Sequence, residues 1–211
     1  MIASSRYYYA MRLLSLCVIA TLLPTGQHPA DPLAARTKGS ATAPVVVYEM
    51  ADFQCPACRE FAVTTLPVLE KAYVQSGKVR WVFVNFPLTS IHKNAVAAAQ
   101  VAMCAARQNK FWPVHDALYL HQTEWAPLAD PTPALLALAE SAGVRHDSLA
   151  ACVTSHATVE AIQQDAQGSV RAGANATPSF YIEGGLASGA IPAPEFSRIL
   201  DSIYTAKTAS R

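Results

Sequence analysis

Charge is scarce in this sequence: Asp, Glu, Lys and Arg make up 15% of 211 residues and leave a formal net charge of +1. That balance excludes a strongly basic nucleic-acid binder and an acidic solvating tail. A long apolar run is missing as well, since residues 13–23 fall short of the roughly twenty that a bilayer core requires. No glycine-rich phosphate loop follows a strand and no serine nucleophile elbow is present, which removes two common routes to nucleotide and ester chemistry. His92, His115, His121, His146 and His156 share no spacing with a metal-ligand set, so each is expected to be a surface or capping residue; neither a metal nor a cofactor is expected. No internal repeat is found. What the chain does have is 52% hydrophobic residues and five cysteines. A single domain of this size can bury a core without metals or many disulfides.

The N-terminal segment reads as a targeting sequence. Arg6 and Arg12 precede the apolar run at 13–23, which Pro24 and Gly26 end. This is the order of a secretory signal, expected to span residues 1–30, with the cleavage site as late as 35 and Met11 an alternative start. An uncleaved anchor and a buried core helix are the other readings. Without residues 1–30 the chain holds 14 basic and 15 acidic residues, a net charge of −1. Such a balance attracts neither nucleic acid nor an anionic membrane. Cys17 leaves with the signal. Cys55, Cys58, Cys104 and Cys152 remain, and in an oxidising compartment four cysteines most simply make two pairs.

Residues 31–44 read as a linker, small and polar up to Pro44. Residues 45–50 are a β-branched run that predicts a buried strand. From Cys55 to about Gln75 the period is helical, with Gly77 as the stop and Pro67 predicted to kink the rod. Residues 79–86 predict a second strand, closed by Pro87. Residues 92–172 are almost wholly helical, with stretches at 94–108, 111–121, 133–141, 148–153 and 156–170. Strand character returns at 179–182, Gly184-Gly185 signals a hairpin, 186–188 is its return, and a last helix runs from 193 to 205. Phe111, Trp112 and Trp125 are expected to pack the helical block.

The sharpest motif is Asp52-Phe53-Gln54-Cys55-Pro56-Ala57-Cys58, placed where a buried strand turns into a helix. Cys55 can cap that helix with Pro56 at its first position, where a missing N–H is no loss. Its sulfur then faces unsatisfied N–H groups and the positive end of the dipole, which favour a thiolate. Cys58 follows on the same face and can close a small ring with it. One accessible low-pKa thiol and one resolving thiol perform thiol–disulfide exchange. With Ala57 bringing neither charge nor hydrogen bond, the dipole and backbone are expected to supply most of the perturbation. Two other readings are weighed: a structural zinc site, for which no second ligand pair has zinc spacing, and a structural disulfide, whose short loop would constrain the unfolded chain little.

Phe-x-Cys-Pro-x-Cys after a strand, Asn85-Phe86-Pro87 closing the next, the alanine-rich helix with Cys104, Lys110-Phe111-Trp112, and Gly173-Ala174-Asn175-Ala176-Thr177-Pro178-Ser179-Phe180 together resemble the DsbA-like thiol:disulfide oxidoreductases of the thioredoxin superfamily. The resemblance covers residues 42–206. It implies an α/β thioredoxin fold at 45–206, with a helical insertion at about 90–172 between the second and third strands. Pro178 would be a cis-proline against the two sulfurs, and Thr177 would offer backbone hydrogen bonds to an extended substrate. Glu49, in phase with Val45 and Val47, would be the buried acid that exchanges a proton with Cys58; an acid turned to solvent is the other reading. Cys104 and Cys152 would form a structural disulfide, worth up to about 4 kcal/mol by loop closure, against two free thiols or a second redox centre. Two departures stand out. Pro-Ala replaces the Gly-Pro of thioredoxin and the Pro-His of strongly oxidising relatives, and Trp81 stands where some relatives carry a lysine, which leaves Glu49 without that partner. The expected activity is disulfide exchange in the periplasm or another extracytoplasmic space, by a monomer that oxidises reduced or unfolded exported proteins and is re-oxidised by a redox partner. A reductase or isomerase, and a metal-delivery module using the same cysteines, are the alternatives.

Overall fold

The computed structural model describes residue 1 and residues 33–209. The signal segment, Cys17 and the alternative start at Met11 lie outside the described residues. Five strands form one sheet: β1 (Thr37–Lys38), β2 (Val45–Ala51), β3 (Val79–Asn85), β4 (Ser179–Ile182) and β5 (Gly185–Ser188). Their spatial order is β1-β3-β2-β4-β5. The β2–β3 pair is parallel, with Glu49 opposite Phe83, and the other pairs are antiparallel. Parallel neighbours need a crossover, and the helix between β2 and β3 supplies it.

That helix, α1 (residues 56–74), passes through Pro67 by widening. α-Helical turns at Pro56–Glu60 and Leu66–Leu69 alternate with wider turns at Phe61–Thr65 and Glu70–Val74. The Leu66 N–H reaches back to the Phe61 carbonyl, so the proline's missing donor is absorbed into a turn that already skips a residue. Phe61, Leu66 and Leu69 of α1 pack on Val45, Val47, Trp81 and Phe180 of the sheet, together with Phe196 and Leu200 of the closing helix α8 (Ala193–Ala209). The insertion contributes α2 (Ala95–Ala106), α3 (Phe111–Leu120), α4 (Gln122–Trp125), α5 (Thr132–Ser141), α6 (His146–Thr154) and α7 (Val159–Arg171). These helices gather a second core around Phe53, Phe83, Phe111, Tyr119 and Trp125, so the aromatic residues assigned to the insertion do pack it. Cys104 on α2 and Cys152 on α6 are joined as a disulfide. No helix among the described residues is long and apolar enough to cross a membrane.

Three sequence expectations change. Residues 34–38 are not linker: Ala34–Arg36 form a 3-10 turn and Thr37–Lys38 the edge strand β1. Arg36 is buried there, donates to the Phe83 carbonyl and pairs with Asp165 of α7, which also accepts from the Asn85 side chain at 2.7 Å. A partner 129 positions away leaves no local signal for this burial. The hairpin turn falls on Glu183-Gly184, both at positive φ, and Gly185 already belongs to β5. Glu183 tolerates that backbone because its carboxylate accepts the Val46 N–H and pairs with Lys207. The histidines also divide: His115 is completely buried among Phe53, Phe83, Trp112 and Tyr119 rather than at the surface.

Candidate active site

β2 ends at Ala51, and the chain crosses residues 52–54 to reach Cys55, the N-cap of α1, with Pro56 at its first position. Both cysteines are free thiols. Cys58, one turn on, is fully buried, whereas Cys55 keeps 7% of its surface exposed. The Cys55 thiol donates to the Thr177 carbonyl at 3.3 Å. The Thr177-Pro178 peptide bond is cis, as the resemblance implied, and it brings that loop against Cys55.

The two thiols are driven apart electrostatically. A hydrogen bond from the Cys58 thiol, helped by the Thr177 side chain and the N–H groups of Cys58 and Ala57, lowers the Cys55 pKa to about 6 in spite of burial. Burial, then the neighbouring Cys55, pushes Cys58 well above the ordinary thiol range. The perturbation therefore comes first from Cys58, with the backbone adding to it; the sequence reading had placed the backbone first. Cys58 is suited to that role because desolvation keeps its proton on sulfur, where it can be donated. Cys55 in the reduced protein should therefore react with iodoacetamide with a pH midpoint near 6, and Cys58 should stay unmodified up to pH 9. The rate is read by mass spectrometry. A midpoint at the ordinary 8.5 of a free thiol would contradict this geometry.

Glu49 is completely buried, in phase with Val45 and Val47 as the alternation predicts. It is not without a partner. The Trp81 indole N–H donates to its Oε2 at 2.7 Å, taking the place of the lysine found in some relatives, while Oε1 has no hydrogen-bond partner among the described residues. Burial raises its pKa to about 7, against the lowering effect of the Trp81 bond. The Tyr119 phenol donates to the Asp52 carbonyl at 3.3 Å, and burial pushes its pKa well above the ordinary phenol range.

Several residues of the site carried no assigned role in the sequence reading. The buried carboxylate of Asp52 accepts from the Gln54 and Leu88 N–H groups, at 2.7 and 2.8 Å, and contacts His92 Nδ1 at 2.8 Å. The Asp52 backbone N–H points at the Cys58 sulfur, 3.5 Å away. Gln122 of α4 donates to the carbonyls of Phe53 and Cys55 at 2.7 and 2.9 Å. Gln54 accepts the Asn94 N–H at 2.7 Å and donates to the Ala126 carbonyl at 2.9 Å. The insertion thus holds the cysteine loop through buried amides. Asp52 and Gln54 lie inside the motif and could have been suspected; nothing local marks Gln122 or Asn94. Among the described residues no group of three or more His, Cys, Asp or Glu stands together in a way that could hold a metal ion.

A thioredoxin family model matches residues 33–202. The chain is 30% identical over 169 residues to a probable disulfide bond formation protein D of Bacillus anthracis, covering 78% of this chain and 75% of that protein. It is also 35% identical over 156 residues to the Na(+)/H(+) antiporter NhaA 3 of Salinispora tropica, covering 74% of this chain but 22% of the antiporter's length. Among solved structures, oxidised BdbD from Bacillus subtilis superposes with a TM-score of 0.72 at 23% identity, covering 81% of this chain and 92% of that one, a likeness of fold. The sheet order, the cysteine pair capping the helix, the cis-proline beside it and these matches agree, and the chain belongs to the thioredoxin family, in its DsbA-like thiol:disulfide oxidoreductase branch.

Proposed function

We propose that this chain exchanges disulfides with exported proteins through Cys55 and Cys58, chiefly as an oxidant of clients during their folding. The observation that carries the reading is the geometry of the pair: Cys55 caps α1 beside the cis Thr177-Pro178 loop and keeps some exposure, while Cys58 is buried one turn behind it. In the oxidised enzyme a client thiolate attacks Cys55 Sγ; the Cys55–Cys58 bond breaks and its electron pair leaves on Cys58, which takes up a proton. A second client thiolate then attacks the client sulfur of the mixed disulfide, and Cys55 departs as a thiolate. A leaving thiol of lower pKa departs faster, so the environment of Cys55 favours release of an oxidised client. The dithiol left behind requires a partner that accepts two electrons.

Glu49 is the proton acceptor and donor for Cys58 in this scheme. Thr177 and Pro178 line the client strand beside Cys55. Export through residues 1–30 would deliver the protein to an oxidising space, where the Cys104–Cys152 bridge is also at home. Refolding of reduced ribonuclease and reduction of insulin, run side by side, separate the directions. The proposal expects catalysed ribonuclease oxidation to dominate. Faster insulin reduction would favour a reductase or isomerase, and stoichiometric bound copper or zinc with neither activity would favour metal delivery.

A further inference from the structure

Away from the catalytic pair, the Cys104–Cys152 disulfide forms part of the wall of an open cavity of about 380 Å³ between α2 and α6. A bridge whose only task is to staple two helices needs no such opening. Both cysteines line it, together with Arg107, Gln108, Arg145 and Ser148, and among the described residues that line it there is no acid. The two sulfurs are not equivalent. Cys152 is 7% exposed and Cys104 1%, and the Arg107 guanidinium lies 3.9 Å from the Cys152 sulfur. Arg145 is held at the rim by Gln108, whose Oε1 accepts its backbone N–H at 3.0 Å and its Nε at 3.4 Å. One cation, Arg107, therefore stands beside the more exposed cysteine of the bridge, and a second, Arg145, lines the same cavity.

We infer that this bridge is a second exchange site, taking small thiols that carry carboxylates. Arg145 and Arg107 attract the carboxylates, and Arg107 stands beside the sulfur where the incoming thiolate arrives. The thiolate attacks Cys152 Sγ, a new S–S bond forms to Cys152, and the Cys104–Cys152 bond breaks. Its electron pair leaves on Cys104, which is protonated and becomes a buried thiol. The small thiol is oxidised to a mixed disulfide and Cys104 is reduced, so electrons balance without a further reagent. Return attack by Cys104 restores the bridge. The inference does not depend on the direction of client exchange at Cys55.

The test uses the full chain with Cys55→Ser and Cys58→Ser, so that only the bridge can react. Reduced glutathione is added, exchange is quenched with acid, free thiols are alkylated with N-ethylmaleimide in denaturant near neutral pH, and peptides are mapped by mass spectrometry. The expected product carries glutathione on Cys152 and maleimide on Cys104. Adding Arg107→Ala and Arg145→Ala, both at exposed positions, should slow this adduct about fivefold, the scale of two partly screened charge contacts. The same pair should change the rate with neutral 2-mercaptoethanol by less than about twofold, since no carboxylate is then recognised. Glutathione on Cys104, no adduct at all, or equal slowing with both thiols would overturn the proposal.

Discussion

Cys55→Ser should abolish disulfide exchange, lowering both ribonuclease oxidation and insulin reduction by roughly three orders of magnitude or more, because a serine hydroxyl neither forms an S–S bond nor ionises at neutral pH. The fold should survive, since Cys55 caps α1 through its backbone and no side-chain capping bond is lost. Cys58→Ser separates the two roles. Without the resolving thiol, Cys55 still attacks a client disulfide, and mixed disulfides with Cys55 should accumulate on non-reducing gels. The asymmetry follows from burial: Cys55 is the sulfur that retains exposure and the lowered pKa, Cys58 the one sealed behind it. If Cys55→Ser kept its exchange activity, or if mixed disulfides formed through Cys58 in its place, the assignment of nucleophile and resolving thiol would be wrong.

Glu49→Gln should make the protein more stable and a poorer catalyst at once. Glu49 is raised from 4.5 to about 7 in the folded protein. Between those values the folded state keeps a proton that the unfolded state has released, so stability falls as pH rises through this window, by up to about 1.4 kcal/mol per unit. Above pH 7 the whole loss, roughly 3 kcal/mol, is in place, and below pH 4.5 it is absent. Glutamine has no proton to lose and can still accept the Trp81 indole N–H. Denaturant titrations should therefore find the variant more stable by roughly 3 kcal/mol at pH 8.5 and close to the parent at pH 4. Resolution of a trapped mixed disulfide should slow by about 100-fold, the scale of a lost general base, because a Cys58 thiol with a raised pKa has no carboxylate to take its proton. Trp81→Phe also favours the neutral form of this acid, by removing the donor that holds its charge. Removing the donor should move the Glu49 titration above pH 7, followed through the carboxyl stretch in infrared spectra. A variant Glu49→Gln with unchanged resolution would make the residue a structural polar group only.

The parts of this molecule that were legible in its sequence are those with a short-range physical signature. A β-branched run meeting a proline-started helix at Cys55 marks the site, and period-two alternation turns Glu49 inward. Thr177-Pro178 was legible only through the family pattern, since nothing in the local chain selects a cis bond. What stayed hidden depends on distant partners. Arg36 looks like linker because Asp165, which makes its burial tolerable, is 129 residues away. Gln122 and Asn94 look like ordinary surface amides until the insertion folds back and aims them at Phe53, Cys55 and the carbonyls near Ala126. His115 reads as a surface histidine because only the folded core collects five aromatic rings around it. The Trp81–Glu49 bond stays hidden for a different reason: an indole in place of a lysine reads as the loss of a cation, yet its N–H still donates to the carboxyl at 2.7 Å.

The central claim, that the environment of Cys55 and Cys58 poises them for reversible exchange, is tested most directly by the equilibrium potential of the pair in glutathione buffers, read by alkylation and mass spectrometry. A Cys55 pKa near 6 lies between the roughly 7 of thioredoxin and the roughly 3.5 of DsbA. The pair should therefore behave as a reversible two-electron couple between about −270 and about −120 mV, the potentials of those two proteins. A pair that failed to equilibrate, or one that titrated below about −300 mV with the inert structural disulfides, would contradict it.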